Sequence, residues 1–317
     1  DAFGLGHAGF GAVYSAATLT SGLLLTWAGG LIDRLDLRLF AAGVLAGLAL
    51  AAGGVSGAAG PVTLGGSIFL LRFFGQGLAS HTAVTATARY ADPAVRGKAV
   101  SVATLGFPAG EALCPVLVVA AIATLGWRQT YGGTALLVLM LILPVALLML
   151  AGHGDRHAAL IGRTAGGDGS DGIRQWTRGE VLRDRVFHRV LVAAMAPSFI
   201  VTGVLFHQVH LSEVKGWSLA LFAGGYIGYA AFQVGTALVA GPVIDRIGAR
   251  RTSRFYLAPL GLGLVVLAAF DPIWSGYLFL MSAGATAGFS STLLGTLWAE
   301  LYGVLHLGAI RALVTAC

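Results

Sequence analysis

The chain has 317 residues, of which 56% are hydrophobic and only 11% charged, with a formal net charge of +6 and a mean hydropathy of +0.82. So few charges cannot cover a water-soluble surface, which excludes a soluble globular domain and points to an integral membrane protein. The bases are scattered in short loops between apolar runs, an arrangement that excludes a nucleic-acid-binding patch and fits membrane orientation.

A transmembrane helix needs about 20 apolar residues. In chain order nine stretches meet that requirement: 9 to 32, 38 to 58, 62 to 89, 98 to 123, 130 to 151, 188 to 210, 217 to 243, 253 to 271 and 273 to 298. A tenth begins near 305 and is cut off at Cys317, and the chain opens on Asp1 without a methionine or signal peptide, so it reads as truncated at both ends. The only long polar segment, 152 to 187, is rich in Gly, Asp and Arg, with AGGDGSDG at 165 to 172. It divides the chain into a first half, 1 to 151, and a second half, 188 to 317, and its composition predicts a linker disordered toward its middle.

Alternate loops carry very different charge. Of the 20 bases, 17 fall in loops on one side, Arg128 and Lys215 on the other, and Arg72 within a span. The positive-inside rule places the 17, and with them the central linker, in the cytoplasm. Only Lys98 and Lys215 are lysine, a skew that with the Ala and Gly content suggests a GC-rich bacterial genome and hence a bacterial inner membrane. Gly is abundant, at 47 residues, as close helix packing in lipid requires. Cys114 and Cys317 form no disulfide framework and have no metal-ligand company, and no metal or cofactor is expected.

The phrase GGLIDR at 29 to 34 recurs as GPVIDR at 241 to 246, each directly after an apolar span. In this register Gly29 pairs with Gly241, Asp33 with Asp245 and Arg34 with Arg246, and the match extends back to Tyr14 over Tyr226 and Ser21 over Gln233. Internal duplication of this kind marks secondary transporters. The phrase G-x-x-x-D-R, followed by basic residues, resembles the cytoplasmic loop motif of the major facilitator superfamily and its repeat in the second half. A second correspondence pairs TARYADPAVRGKAV at 87 to 100 with WAELYGVLHLGAIR at 298 to 311.

The resemblance implies an all-α membrane protein with the superfamily fold, two pseudo-symmetric six-helix bundles, of which nine full transmembrane helices and part of a tenth are present. The spans of the first half would be family helices 2 to 6, and those of the second half helices 7 to 10 with the start of 11. It also implies a conformational gate built from Gly29, Asp33, Arg34, Gly241, Asp245 and Arg246, joined at the cytoplasmic side by Glu300 and Arg311. Asp33 and Asp245 sit at helix ends where they can meet helix N-termini in one conformation of a rocking carrier. Asp36 stands where the pattern has glycine, whereas the second copy keeps Gly248.

A charge near mid-bilayer is costly unless paired or hydrated, so intramembrane ionisable residues are functional candidates. Arg72, in FLLRFFGQG, has Gln76 one turn later on the same face. The phrase resembles the family's helix 4 motif, which implies substrate binding or proton coupling; the competing reading is a structural arginine bonded to backbone carbonyls. Glu111, in GFPAGEALCP, is the only mid-span carboxylate and can carry a proton, or form a permanent salt bridge with Arg72. Tyr226, Tyr229, Gln233 and Thr236 follow helical spacing on one face, which is either helix packing or a substrate surface. His81 lies on the face of its helix opposite Arg72 and reads as packing, and the histidines at 207 and 210 read as solvated.

Helix 5 of the family's antiporters carries G-x-x-x-G-P-x-x-G-G, which Gly106, Gly110 and Glu111 do not complete. The expected activity is therefore proton-coupled uptake of a small organic anion such as a monocarboxylate by a monomer. A drug or metabolite efflux antiporter of the same fold and a non-transporting membrane sensor are the alternatives. The partners are a small-molecule substrate, protons and the lipid bilayer. No H-E-x-x-H or G-x-S-x-G occurs, so an enzyme is not expected.

Overall fold

The computed structural model describes residues 7–165 and 174–315, all helices and connecting turns. In chain order the elements are α1 (His7–Ala28), continued by a 3-10 turn (Gly29–Asp33), α2 (Leu37–Ser56), α3 (Pro61–Tyr90), α4 (Arg96–Thr104), α5 (Gly106–Leu125) and α6 (Trp127–Met149). Then come α7 (His153–Ala165), α8 (Arg185–Phe206), α9 (Gln208–Val214), α10 (Leu219–Ile247), α11 (Ala258–Ala269), α12 (Ile273–Tyr302) and α13 (Leu307–Thr315). Among the described residues seven helices are long and apolar enough to cross a membrane: α1 with its 3-10 turn, α2, α3, α6, α8, α10 and α12.

Two of the nine expected spans take another form. The span at 98 to 123 is two helices, α4 and α5, broken at Leu105. Pro108 has no N–H to give the Thr104 carbonyl, so the backbone restarts there with proline in the first turn of α5. The span at 253 to 271 shortens to α11, which opens on the N-terminal proline Pro259 after a run of turns. In α6 a π segment, Val138–Ile142, ends two residues before Pro144, where the proline cannot donate to Met140 and the helical register must adjust.

The chain folds as two compact units, and each draws on both sequence halves. The first comprises Asp1–Ala86, Glu111–Arg178 and Leu305–Cys317. Within it α2 buries Leu37, Phe40, Ala41, Val44, Gly47, Ala51, Ala52 and Val55, a stripe at helical spacing that packs on α6 and on the middle of α3. There α1 runs along α3, and α13 closes on the 3-10 turn after α1. The end of the linker is held here too: Arg178 donates to the Thr26 carbonyl, and Gln175 Oε1 accepts the Leu305 N–H at 3.1 Å. The expected disordered middle of the linker, residues 166–173, lies outside the described residues.

The second unit comprises Thr87–Gly110 and Gly179–Val304. In it α12 packs along α10 and α11, and α4 packs on α10 and α12. Phe222, Leu260, Leu267, Phe279, Leu280 and Ala283 form one buried cluster, and Ala240, Ile244, Ala249, Tyr256, Leu293 and Leu297 another. Lys215 ties the turn before α10 to the turn before α12, through an ion pair with Asp271 at 3.0 Å and a bond to the Phe270 carbonyl at 2.9 Å.

Candidate functional site

Arg72 lies in the first unit, inside a π-helical stretch of α3, Leu71–Ala79, that also carries Gln76. Short π segments within α-helices recur at functional sites, because the widened turn shifts side chains out of the regular register. The guanidinium lies over the Tyr14 ring of α1 at 4.6 Å from its centroid, Nε donates to Thr18 Oγ1 at 3.1 Å, and Nη1 donates to Gln76 Oε1. All these partners are neutral. A guanidinium has five N–H donors, and among the described residues Thr18 and Gln76 take two of those on Arg72. The side chain of Glu111 lies outside the described residues; its backbone belongs to the first turns of α5.

His81, on the same helix as Arg72, is 1% exposed, and its Nε2–H donates to the Gly29 carbonyl at 3.1 Å. It thus packs α3 against the first residue of the loop phrase. A Cβ on Gly29 would stand 2.6 Å from the Ala312 Cβ and 3.1 Å from His81 Nε2, which is why glycine is needed at this approach of α13.

The two loop aspartates do the same thing in separate units. Asp33 accepts the N–H groups of Gly308 at 2.9 Å and Ala309 at 2.7 Å, at the second and third positions of α13. Asp245 accepts those of Gly97 at 2.6 Å and Lys98 at 3.1 Å, at the second and third positions of α4. Each is an N-cap supplied from a distant part of the chain, adding a negative charge at the positive end of a helix. Gly97 and Gly308 are functional residues that the sequence reading did not single out: a Cβ on either would run into the capping aspartate. Their signal was present in the paired segments at 87 to 100 and 298 to 311, where the two glycines align. Arg34 and Arg246 are exposed at these joints, and Arg311 lies half-buried on α13 within electrostatic reach of His81.

The departure of Asp36 from the family pattern has a structural reason. Asp36 is the N-cap of α2, accepting the N–H groups of Arg38 at 2.8 Å and Leu39 at 3.2 Å. Its repeat counterpart, Gly248, is the N-cap of the turn Ala249–Thr252, but with φ +89° and no side chain it cannot accept. Glu300 of α12 reaches across instead, taking the N–H of Ala249 at 2.8 Å and of Arg250 at 3.1 Å. Glu300→Ala is expected to cost about 1–2 kcal/mol, as loss of a capping side chain does, with Glu300→Gln recovering part of it. Thermal melting in detergent measures this, and an unchanged Glu300→Ala melt would contradict it.

The residues expected on one face of α10 lie in the second unit. Tyr226 donates to Gln208 Oε1 at 3.0 Å and meets Phe222 edge-on. The backbones of Tyr229 and Gln233 press on Gly284 and Gly288 of α12, and Thr236 donates to the Ala285 carbonyl at 3.0 Å. This face is therefore a helix–helix seam along its length, with Tyr226 at the end bonded to α9.

The family model of the major facilitator superfamily matches residues 1–317. No curated protein sequence matches the chain closely. Among solved structures, the proton:xylose symporter XylE bound to 6-bromo-6-deoxy-D-glucose has 17% identity and a TM-score of 0.64, over 99% of this chain and 78% of that one. The human organic anion transporter MFSD10 (TETRAN) has 17% identity and a TM-score of 0.66, over 96% of this chain and 75% of its own. A bacterial homologue of the iron transporter ferroportin, in an outward-facing state with soaked iron, has 18% identity and a TM-score of 0.65, over 96% and 78%. At these identities the likeness shows the fold, and the match of the family model along the whole length shows the family. This multi-pass, all-helical membrane chain, with its paired aspartate joints, belongs to the major facilitator superfamily.

Proposed function

We propose that the chain is the body of a secondary transporter that takes up a small organic anion together with protons, by alternating access between two pseudo-symmetric halves, 1 to 151 and 188 to 317, joined by a cytoplasmic linker. The observation that carries this reading is Arg72, a guanidinium within a membrane-length helix that meets, among the described residues, an aromatic ring, a hydroxyl and an amide. A fixed charge held in lipid against neutral partners gains most from a counter-ion, and an anionic substrate is one. Arg72 and Gln76 would bind it, and Glu111 would carry the proton. The joints at Asp33 and Asp245, with Gly29, Arg34, Gly241, Arg246, Glu300 and Arg311 around them, would be the cytoplasmic gate. Among proteins of this fold, one is described as a proton symporter and one as an organic anion transporter, which supports both parts of the reading.

The test is proton movement in proteoliposomes challenged with small monocarboxylates and, separately, with lipophilic cations. Alkalinisation outside with a carboxylate is expected, lowered at least tenfold by Arg72→Gln. Glu111→Gln is expected to abolish proton-driven accumulation while leaving substrate exchange measurable. A response to cations alone would replace this reading with efflux.

A further inference from the structure

We propose that the anion bound at Arg72 is an amphiphilic monoanion, whose carboxylate takes N–H donors of the guanidinium while its apolar body fills a groove between α1 and α3. The proposal rests on the reading of Arg72 as an anion anchor and names the substrate class of that site. The groove has a volume of about 390 Å³ and is lined by Val13 and Ala17 of α1 and by Val62, Gly66 and Phe69 of α3, with Thr20 as its one polar side chain. That volume is near the lower end, about 300 Å³, of small-molecule sites.

The groove and the charge are neighbours on both helices. Phe69 precedes Arg72 by three residues, about 4.5 Å along the axis and on the same side of a helix. On α1, Val13 and Ala17 in the groove adjoin Tyr14 and Thr18, the two residues that hold the guanidinium. Tyr14 covers one face of the guanidinium and is itself stacked on Phe10, with ring centroids 6.3 Å apart. The N–H donors lie in the guanidinium plane, where bidentate pairing with a carboxylate is geometrically favoured.

The charge count selects one negative group. α1 contains no Lys or Arg, and on α3 the only other Lys or Arg is Arg89, at the end of the helix and in the other compact unit. A second carboxylate or a phosphate dianion would find no second cation in the groove, whereas an alkyl or aryl body would replace water on an apolar wall. Each buried methylene tightens binding about fourfold, so affinity should climb along a series of straight-chain acids until the groove is full.

Radiolabelled acetate and octanoate, titrated on the purified protein in nanodiscs of zwitterionic lipid, test this directly. Octanoate is expected to bind at least tenfold more tightly than acetate, and Arg72→Gln to weaken both at least tenfold, with Arg72→Lys intermediate. Gly66→Leu puts an apolar side chain into the groove from a position where a Cβ meets no atom within 4 Å. It should remove the octanoate advantage and keep the wild-type melting temperature. Equal, Arg72-dependent binding of both acids would overturn the amphiphile proposal and leave the anion anchor standing. Octanoate binding that ignores Arg72→Gln and is matched by octanol would make the groove a lipid or helix contact and overturn both readings. Failure of both acids to bind would likewise overturn both.

Discussion

Gly288→Leu is expected to leave little or no folded protein in detergent, and Gly284→Leu to do nearly the same. A Cβ on Gly288 would penetrate the carbonyl of Gln233 and stand 2.8 Å from its carbon, and one on Gly284 would meet the carbonyl, carbon and Cα of Tyr229. The obstacle is backbone inside a helix, so no rotamer change relieves it. Reciprocally, Gly225 and Gly228 of α10 receive Leu280, Tyr277 and Met281 of α12, so the two helices are fitted into each other over several turns. In lipid, where tails are as apolar as the side chains, such close approach is a main source of helix association. Overpacking a core costs about 1–3 kcal/mol even where side chains can yield, and here the cost should exceed that range. A fall in melting temperature on the order of 10 °C or more, or loss of monodisperse protein, is the expected readout. Gly224→Leu and Gly235→Leu, on α10 but facing open space, should melt like the wild type. If Gly288→Leu also melts like the wild type, the seam is not what holds α10 to α12.

The parts of this design that are legible in the sequence are those where lipid penalises the residue. A charged residue at the end of an apolar span must have a reason to be there, so Asp33 and Asp245 could be recognised as joints from GGLIDR and GPVIDR, and the structure places both on helix N-termini. Arg72 stood out in the same way. What periodicity cannot supply is the identity of the facing surface. The spacing of Tyr226, Tyr229 and Gln233 identifies a face of α10 but not that Gly284 and Gly288 press on it, because glycine has no side chain to enter a pattern. The π stretch around Arg72 has no residue signature comparable to a proline. The break between α4 and α5 did have one in Pro108, but the apolar run from 98 to 123 still reads as one continuous span. The division into units is the least legible, since α13 joins the first unit and α4 the second through contacts far apart in sequence.

Removing the Asp245 carboxylate, as Asp245→Ala, is expected to release α4 from α10. Two charge-assisted bonds are lost, each worth about 1.5–3 kcal/mol, along with the interaction of the charge with the helix end, about 0.3–1 kcal/mol. Water replaces part of this at an exposed joint, so a net loss of about 2–3 kcal/mol is reasonable, which shifts a two-state equilibrium by a factor on the order of 100. Ser101 reads the joint: it is buried, its hydroxyl donates to the Ala237 carbonyl, and a Cβ on Gly241 would stand 2.9 Å from its own Cβ. Maleimide labelling of Ser101→Cys should be slow, and at least tenfold faster when Asp245→Ala is added. Asp245→Asn keeps one acceptor and should fall between them. The corresponding pair in the first unit is Asp33→Ala read at Ala312→Cys, a fully buried position against Gly29. If both joints belong to one alternating-access change, Asp33→Ala will also accelerate labelling at position 101. Were each aspartate to affect only its own reporter, the joints would be local helix caps, and the gate would have to be sought elsewhere in the fold.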